Sequence, residues 1–90
     1  MVASMFTAAA DALAAAVVDL RTRAKLNQRQ LADAVGREQS FIGRIETGQR
    51  RVDLVEWVTI CLACGADPEI EIARLVRRIT PLVPKQKRGR

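Results

Sequence analysis

The chain has 90 residues, 49% hydrophobic but only 3% aromatic, with 15 Lys and Arg against 10 Asp and Glu. This size fits one compact domain with a modest core, and this hydrophobic content excludes a disordered chain. No run reaches the ~18–20 apolar residues of a membrane span. With no His and only Cys61 and Cys64, neither a disulfide framework nor a four-ligand zinc site can be built.

A first helix is expected over residues 4–24. Alanine, the best helix former, dominates it, and Leu13, Val17, Leu20 and Ala24 recur at helical spacing as one buried stripe. Phe6, Phe41 and Trp57 are all the aromatics, so Ala, Val, Leu and Ile must build the core. Residues 1–20 carry Asp11 and Asp19 and no base. That stretch is apolar, but it lacks the basic start of a secretory signal. Arg21, Arg23 and Lys25 gather at the helix C-terminus, where the helix dipole favours cations.

A second, short helix is expected over about 28–35. Asn27 is a suitable N-cap, Gln30 completes a capping box, and Gly36 stops the helix. Leu31, Ala32 and Val35 form its inner face. A third helix is expected over about 39–46, with Phe41, Ile42 and Ile45 inward and Gly48 as terminator. Residues 21–51 hold eight bases against Asp33, Glu38 and Glu46.

A fourth helix is expected from Asp53, with Glu56 at capping-box spacing, to Gly65. Asp67-Pro68 opens a fifth, with Glu69 and Glu71 early and Arg74, Arg77 and Arg78 late, matching the dipole at both ends. Residues 52–73 hold five acids and no base, and residues 74–90 hold seven bases and no acid. A basic middle and a basic end, separated by an acidic stretch, suggest a polyanionic partner with two contact regions. Scattered surface arginines that only aid solubility are the plainer alternative. Pro81 and Pro84 forbid a longer fifth helix. The expected organisation is an all-α domain of five helices over residues 1–80, then a basic tail over 81–90 that is disordered from Lys85 to Arg90.

Residues 26–46 carry the most information. Two short helices flank a tight turn at Gly36, and Ala32 lets them cross closely, as in a helix-turn-helix. Gln39, Ser40 and Arg44 share the outward face of the second helix, opposite Ile42 and Ile45. In such a motif this end of the second helix meets base edges in the major groove. Gln suits adenine, Arg suits guanine, and Ser suits several bases.

The stretch from about residue 17 to 68, with a core of 17–66, resembles the lambda-repressor-like (Cro/cI-type, xenobiotic-response-element) helix-turn-helix family. The matching residues are Leu20-Arg21, Leu26-Asn27-Gln28, Leu31-Ala32, Gly36, Ile42, Arg44-Ile45-Glu46, Gly48 and the helix of residues 54–65. The resemblance implies double-stranded DNA as partner and residues 39–46 as recognition helix, with Gln39, Ser40 and Arg44 reading bases. It implies that Gln28 touches a phosphate and braces that helix. Arg29, Arg37, Gln49, Arg50 and Arg51 take phosphate or minor-groove roles. Arg21 and Glu46 resemble a partly buried salt bridge between helices 1 and 3. Lys25 stands where many members have Gly, Val52 replaces a frequent Pro, and Gly43 interrupts the recognition helix. The first helix is about three turns longer than the family minimum.

Cys61-Leu62-Ala63-Cys64 is read as ordinary packing rather than a redox or metal site, since it lies inside a helix with no βαβ context and two further zinc ligands are absent. Leu54, Trp57, Ile60, Cys61 and Cys64 are expected in the core. Val55, Val58 and Leu62 remain on another side of helix 4, either covered by neighbouring helices or forming a homodimer interface. Phe41 is assigned to packing rather than a thymine-methyl contact. Residues 85–90 either add non-specific phosphate affinity or are simply solvated.

The expected function is a cytoplasmic, nucleoid-associated bacterial or phage regulator. It would be a repressor reading a two-fold symmetric operator as a homodimer. The alternative is an antitoxin or accessory protein-interaction module on the same fold. No catalytic residues, cofactor, membrane association or small-molecule ligand are expected. His is absent, and there is no phosphate-cradling loop and no nucleophile context.

Overall fold

The computed structural model describes residues 2–84, with side chains from Thr7 onward. The described residues form five α-helices and one 3-10 turn, with no strand. The helices are α1 (Val2–Arg23), α2 (Gln28–Ala34), α3 (Gln39–Glu46), α4 (Leu54–Ala63) and α5 (Pro68–Ile79), and the 3-10 turn is Thr80–Leu82. The 3-10 turn packs on α1, and Leu82 and Val83 after α5 are half-buried. Residues 85–90, the basic part of the expected tail, lie outside the described residues.

Local chemistry sets the boundaries. Asn27 and Gln30 form a reciprocal capping box on α2, and Asp53 and Glu56 form one on α4. Asp67 caps α5, with Pro68 in its first turn. The exits share one geometry. Beyond α1, α2, α3 and α4 the backbone N–H groups of Leu26, Arg37, Gln49 and Ala66 donate back across five residues to Arg21, Ala32, Arg44 and Cys61. Such closure needs a left-handed residue just before the donor. Three exits supply glycine there, but α1 supplies Lys25, at φ 60°. A side chain in that region costs about 1–2 kcal/mol.

The core gathers Ala16, Val17 and Leu20 of α1, Leu31 and Ala32 of α2, and Phe41, Ile42 and Ile45 of α3. Trp57, Ile60 and Cys61 of α4 and Leu75 of α5 complete it. Burial of each large aliphatic contributes about 1.5–3 kcal/mol. Ala32 is fully buried where α2 and α3 pack together, so its small size permits their close crossing. Leu13 is half-buried, while Ala14 and Ala16 are buried. α5, α3 and the 3-10 turn all pack on α1, which widens its buried side beyond the expected stripe.

Two expectations for α4 change. Leu54 is 68% exposed rather than core, because the first residue after the Asp53 cap projects beyond the packed turns. Cys64 is half-buried at the edge. Cys61 is fully buried and its thiol is pushed up to about 11, chiefly by burial. Both thiols are free and protonated at neutral pH, and thiols in that state are poor nucleophiles. Among the described residues no cluster of His, Cys, Asp or Glu could hold a metal, and no helix is long and apolar enough to cross a membrane.

Candidate nucleic-acid interface

Helix α3 is split lengthwise by its sequence. Phe41, Ile42 and Ile45 are buried, while Gln39, Ser40 and Arg44 are exposed. The Arg44 side chain has no hydrogen-bond or ion-pair partner among the described residues. The turn at Gly36 and the packing of Ile42 and Ile45 under α2 hold this polar edge outward.

A chain of polar contacts fixes α3 from behind. Arg21 donates from Nε to Glu46 Oε2 at 2.7 Å and from Nη2 to Oε1 at 3.1 Å. Its Nη1 reaches the Leu26 carbonyl at 3.0 Å, which ties the exit of α1 to the same carboxylate. Gln28 Nε2 donates to Glu46 Oε1 at 2.9 Å. Glu46 can only accept, so it selects the amide end of Gln28. Gln28 Oε1 then accepts a long 3.5 Å bond from Gln39 Nε2. The series runs from the end of α1 through both ends of α3 to the start of α2. The Arg21 and Glu46 side chains are 17% and 6% exposed, so neither partner can easily exchange the other for water. Gly43 lies beside this series: a Cβ there would meet Gln28 Oε1 at 3.7 Å, an ordinary contact.

A second cluster lies on the other flank of α3. The Arg37 and Arg50 guanidinium groups lie over the Phe41 ring, 3.9 and 4.7 Å from its centroid. Arg50 is paired with both oxygens of Glu56 at 2.9 and 2.8 Å, and Arg37 reaches Glu56 at 3.4 Å. These partners hold the Glu56 carboxyl down at about 2, chiefly through the Arg50 hydrogen bond. Arg37, Arg44, Arg50, Ser40, Phe41 and Glu38 line an open cleft of about 280 Å³ beside α3. Phe41 is buried and acts as a platform, in keeping with its assignment to packing.

The structure thus brings Gln28, Gln39, Ser40, Arg44, Arg37 and Arg50 around one helix. Arg29, Gln49 and Arg51 are exposed nearby in the chain, on α2 and in the loop after α3. Sequence reasoning missed Glu56 as a partner of Arg50 and Arg37. The signal was present, because an N3 glutamate in a capping box points back over the preceding loop, and that loop contains Arg50. On α4, Val55, Val58 and Leu62 are exposed at 75%, 36% and 64%, and Leu54 joins them.

A helix-turn-helix domain family matches residues 8–75. The fold is similar to an XRE-family like protein from Pseudomonas syringae pv. tomato str. DC3000, at 31% identity and a TM-score of 0.74, covering 83% of this chain and 92% of that one. It is also similar to the restriction-modification controller protein C.AhdI from Aeromonas hydrophila, at 31% identity and a TM-score of 0.66, covering 72% and 94%. The clp gene regulator ClgR from C. glutamicum, at 23% identity and a TM-score of 0.68 over 78% and 91%, shares the fold. No curated protein sequence matches the chain.

Proposed function

This chain belongs to the XRE-type helix-turn-helix family of DNA-binding transcriptional regulators, and on that premise we propose that it is a repressor. It reads a two-fold symmetric operator as a homodimer and excludes polymerase. One observation carries the reading: Gln39, Ser40 and Arg44 stand exposed on α3 while Ile42 and Ile45 anchor its opposite face. A helix braced from behind and polar in front suits insertion into the major groove.

In this proposal Gln39, Ser40 and Arg44 meet base edges. Gln28, Arg29, Arg37, Gln49, Arg50 and Arg51 supply phosphate or minor-groove contacts. The Leu54, Val55, Val58 and Leu62 stripe pairs with a second copy, which sets two recognition helices about one DNA turn apart. The chain acts in the bacterial cytoplasm, on the nucleoid, without catalysis. The kinship to a restriction-modification controller protein supports a regulatory role.

The test is selection from a random duplex library with purified protein. A two-fold symmetric consensus is expected, and recovery of random sequence alone refutes specific reading. A second reading, an antitoxin or accessory module binding a protein partner, is favoured by the apolar stripe on α4. It predicts no consensus and a monomer that takes up a partner through α4.

A further inference from the structure

Glu56 does more than cap α4. Its Oε1 accepts from the Asp53 backbone N–H at 3.0 Å, which completes the capping box. The same carboxylate takes both terminal nitrogens of Arg50 and one of Arg37. The Glu56 side chain is 16% exposed, against 45% for Arg37 and 36% for Arg50. The two cations therefore face solvent and the cleft, with the anion behind them and the Phe41 ring beneath.

We propose that Glu56 is a built-in competitor of DNA phosphate for Arg37 and Arg50. This inference rests on the DNA-binding reading above and names a control on its affinity. Carboxylate and phosphate present the same two-oxygen acceptor to a guanidinium fork. A guanidinium edge already paired with Glu56 must leave that partner, or share it, before it serves a phosphate. The three side chains together carry one net positive charge instead of two. Sequence-independent affinity scales with the number of phosphates neutralised. Gln39, Ser40 and Arg44 have no contact with Glu56, so base reading is not reduced. The carboxylate lowers the backbone share of binding and leaves the base-reading edge a larger share of the total.

The test is E56Q, whose amide oxygen can still accept the capping hydrogen bond. Binding to a random-sequence duplex is measured across a range of salt. E56Q is expected to bind more tightly at low salt, with a log–log salt slope steeper by about one to two, the increment of one or two additional phosphate contacts. R50A in the otherwise unchanged protein provides a second measurement that does not need E56Q to fold. It is expected to flatten the slope by well under the ~0.9 of a free contact. An unchanged slope in E56Q, weaker binding of E56Q at every salt, or a full unit lost in R50A would each overturn the proposal. If the unaltered protein binds no duplex at any salt, the DNA reading itself falls and this inference falls with it.

Discussion

Gln28 donates to Glu46 at 2.9 Å, so the first residue of α2 is tied to the last residue of α3. Arg21 holds the same Glu46 carboxylate through two further hydrogen bonds. The placement of α3 therefore depends on an ion pair between its own last residue and Arg21 of α1, 25 residues earlier in the chain. Glu46→Ala would leave Arg21 without its partner in a mostly buried site and Gln28 without its anchor. Removing one partner of a buried pair costs more than the pair itself contributes. A loss of about 2–4 kcal/mol is expected, read from urea denaturation. A double-mutant cycle with Arg21→Ala should recover coupling between the two, and strictly additive losses would contradict the arrangement.

Lys25 occupies the left-handed position that glycine fills at the exits of α2, α3 and α4. Lys25→Gly removes the Cβ conflict but loosens the unfolded chain, so the gains partly cancel. A net stabilisation of about 0.5–1 kcal/mol is expected, seen as a rise in Tm. A fall in Tm would mean that the Lys25 side chain makes a contribution larger than its backbone strain.

Arg44 and Arg29 offer a contrast between two kinds of contact. Arg44→Ala should relax base preference at one position in each half-site, at about 1–3 kcal/mol. Arg29→Ala should weaken all duplexes alike and flatten the salt dependence. Quantitative binding to the selected site and to single-base variants separates these outcomes. Identical behaviour of the two variants would remove the distinction.

Leu54 and Leu62 are 68% and 64% exposed, so charged replacements cost the monomer little. The double substitution Leu54→Glu, Leu62→Glu is expected to leave helix content unchanged and to shift sedimentation to a monomer. Operator affinity should fall because one half-site is then bound alone. A variant that remains dimeric places the interface elsewhere.

Glu56 sets an acid limit. Its carboxyl lies at about 2, below its ordinary value of 4.5. A depressed folded-state value means that the contribution is present in full above about 4.5 and is lost as pH falls towards 2. The arginine partners are partly exposed, so screening by water holds the contribution to about 1 kcal/mol. E56Q should therefore show a shallower loss of stability over that window in acid titration followed by circular dichroism. An acid profile unchanged by the substitution would show that the ion pair contributes nothing in solution.

Much of this protein was legible before folding. Asn27 with Gln30, Asp53 with Glu56 and Asp67-Pro68 marked three helix starts, because a capping side chain bonds to backbone only two or three residues away. Gly36, Gly48 and Gly65 marked three ends, because their left-handed conformation is a property of single residues. The spacing of Ile42 and Ile45 against Gln39, Ser40 and Arg44 divided α3 into two faces by helical period alone. What the order of residues could not convey was which side of α4 the body covers. Leu54 fits the apolar pattern as well as Trp57 does, yet Trp57 is buried in the core while Leu54 projects into solvent, and only the docking angle of the helix separates them. The same holds for Arg50. The family resemblance implied a phosphate or minor-groove contact for it, but its pairing with Glu56 and Phe41 follows from the way the loop after α3 folds back. Local bonds and periodicity are set within a few residues. The burial and pairing of long side chains depend on neighbours that only the assembled helices bring within reach.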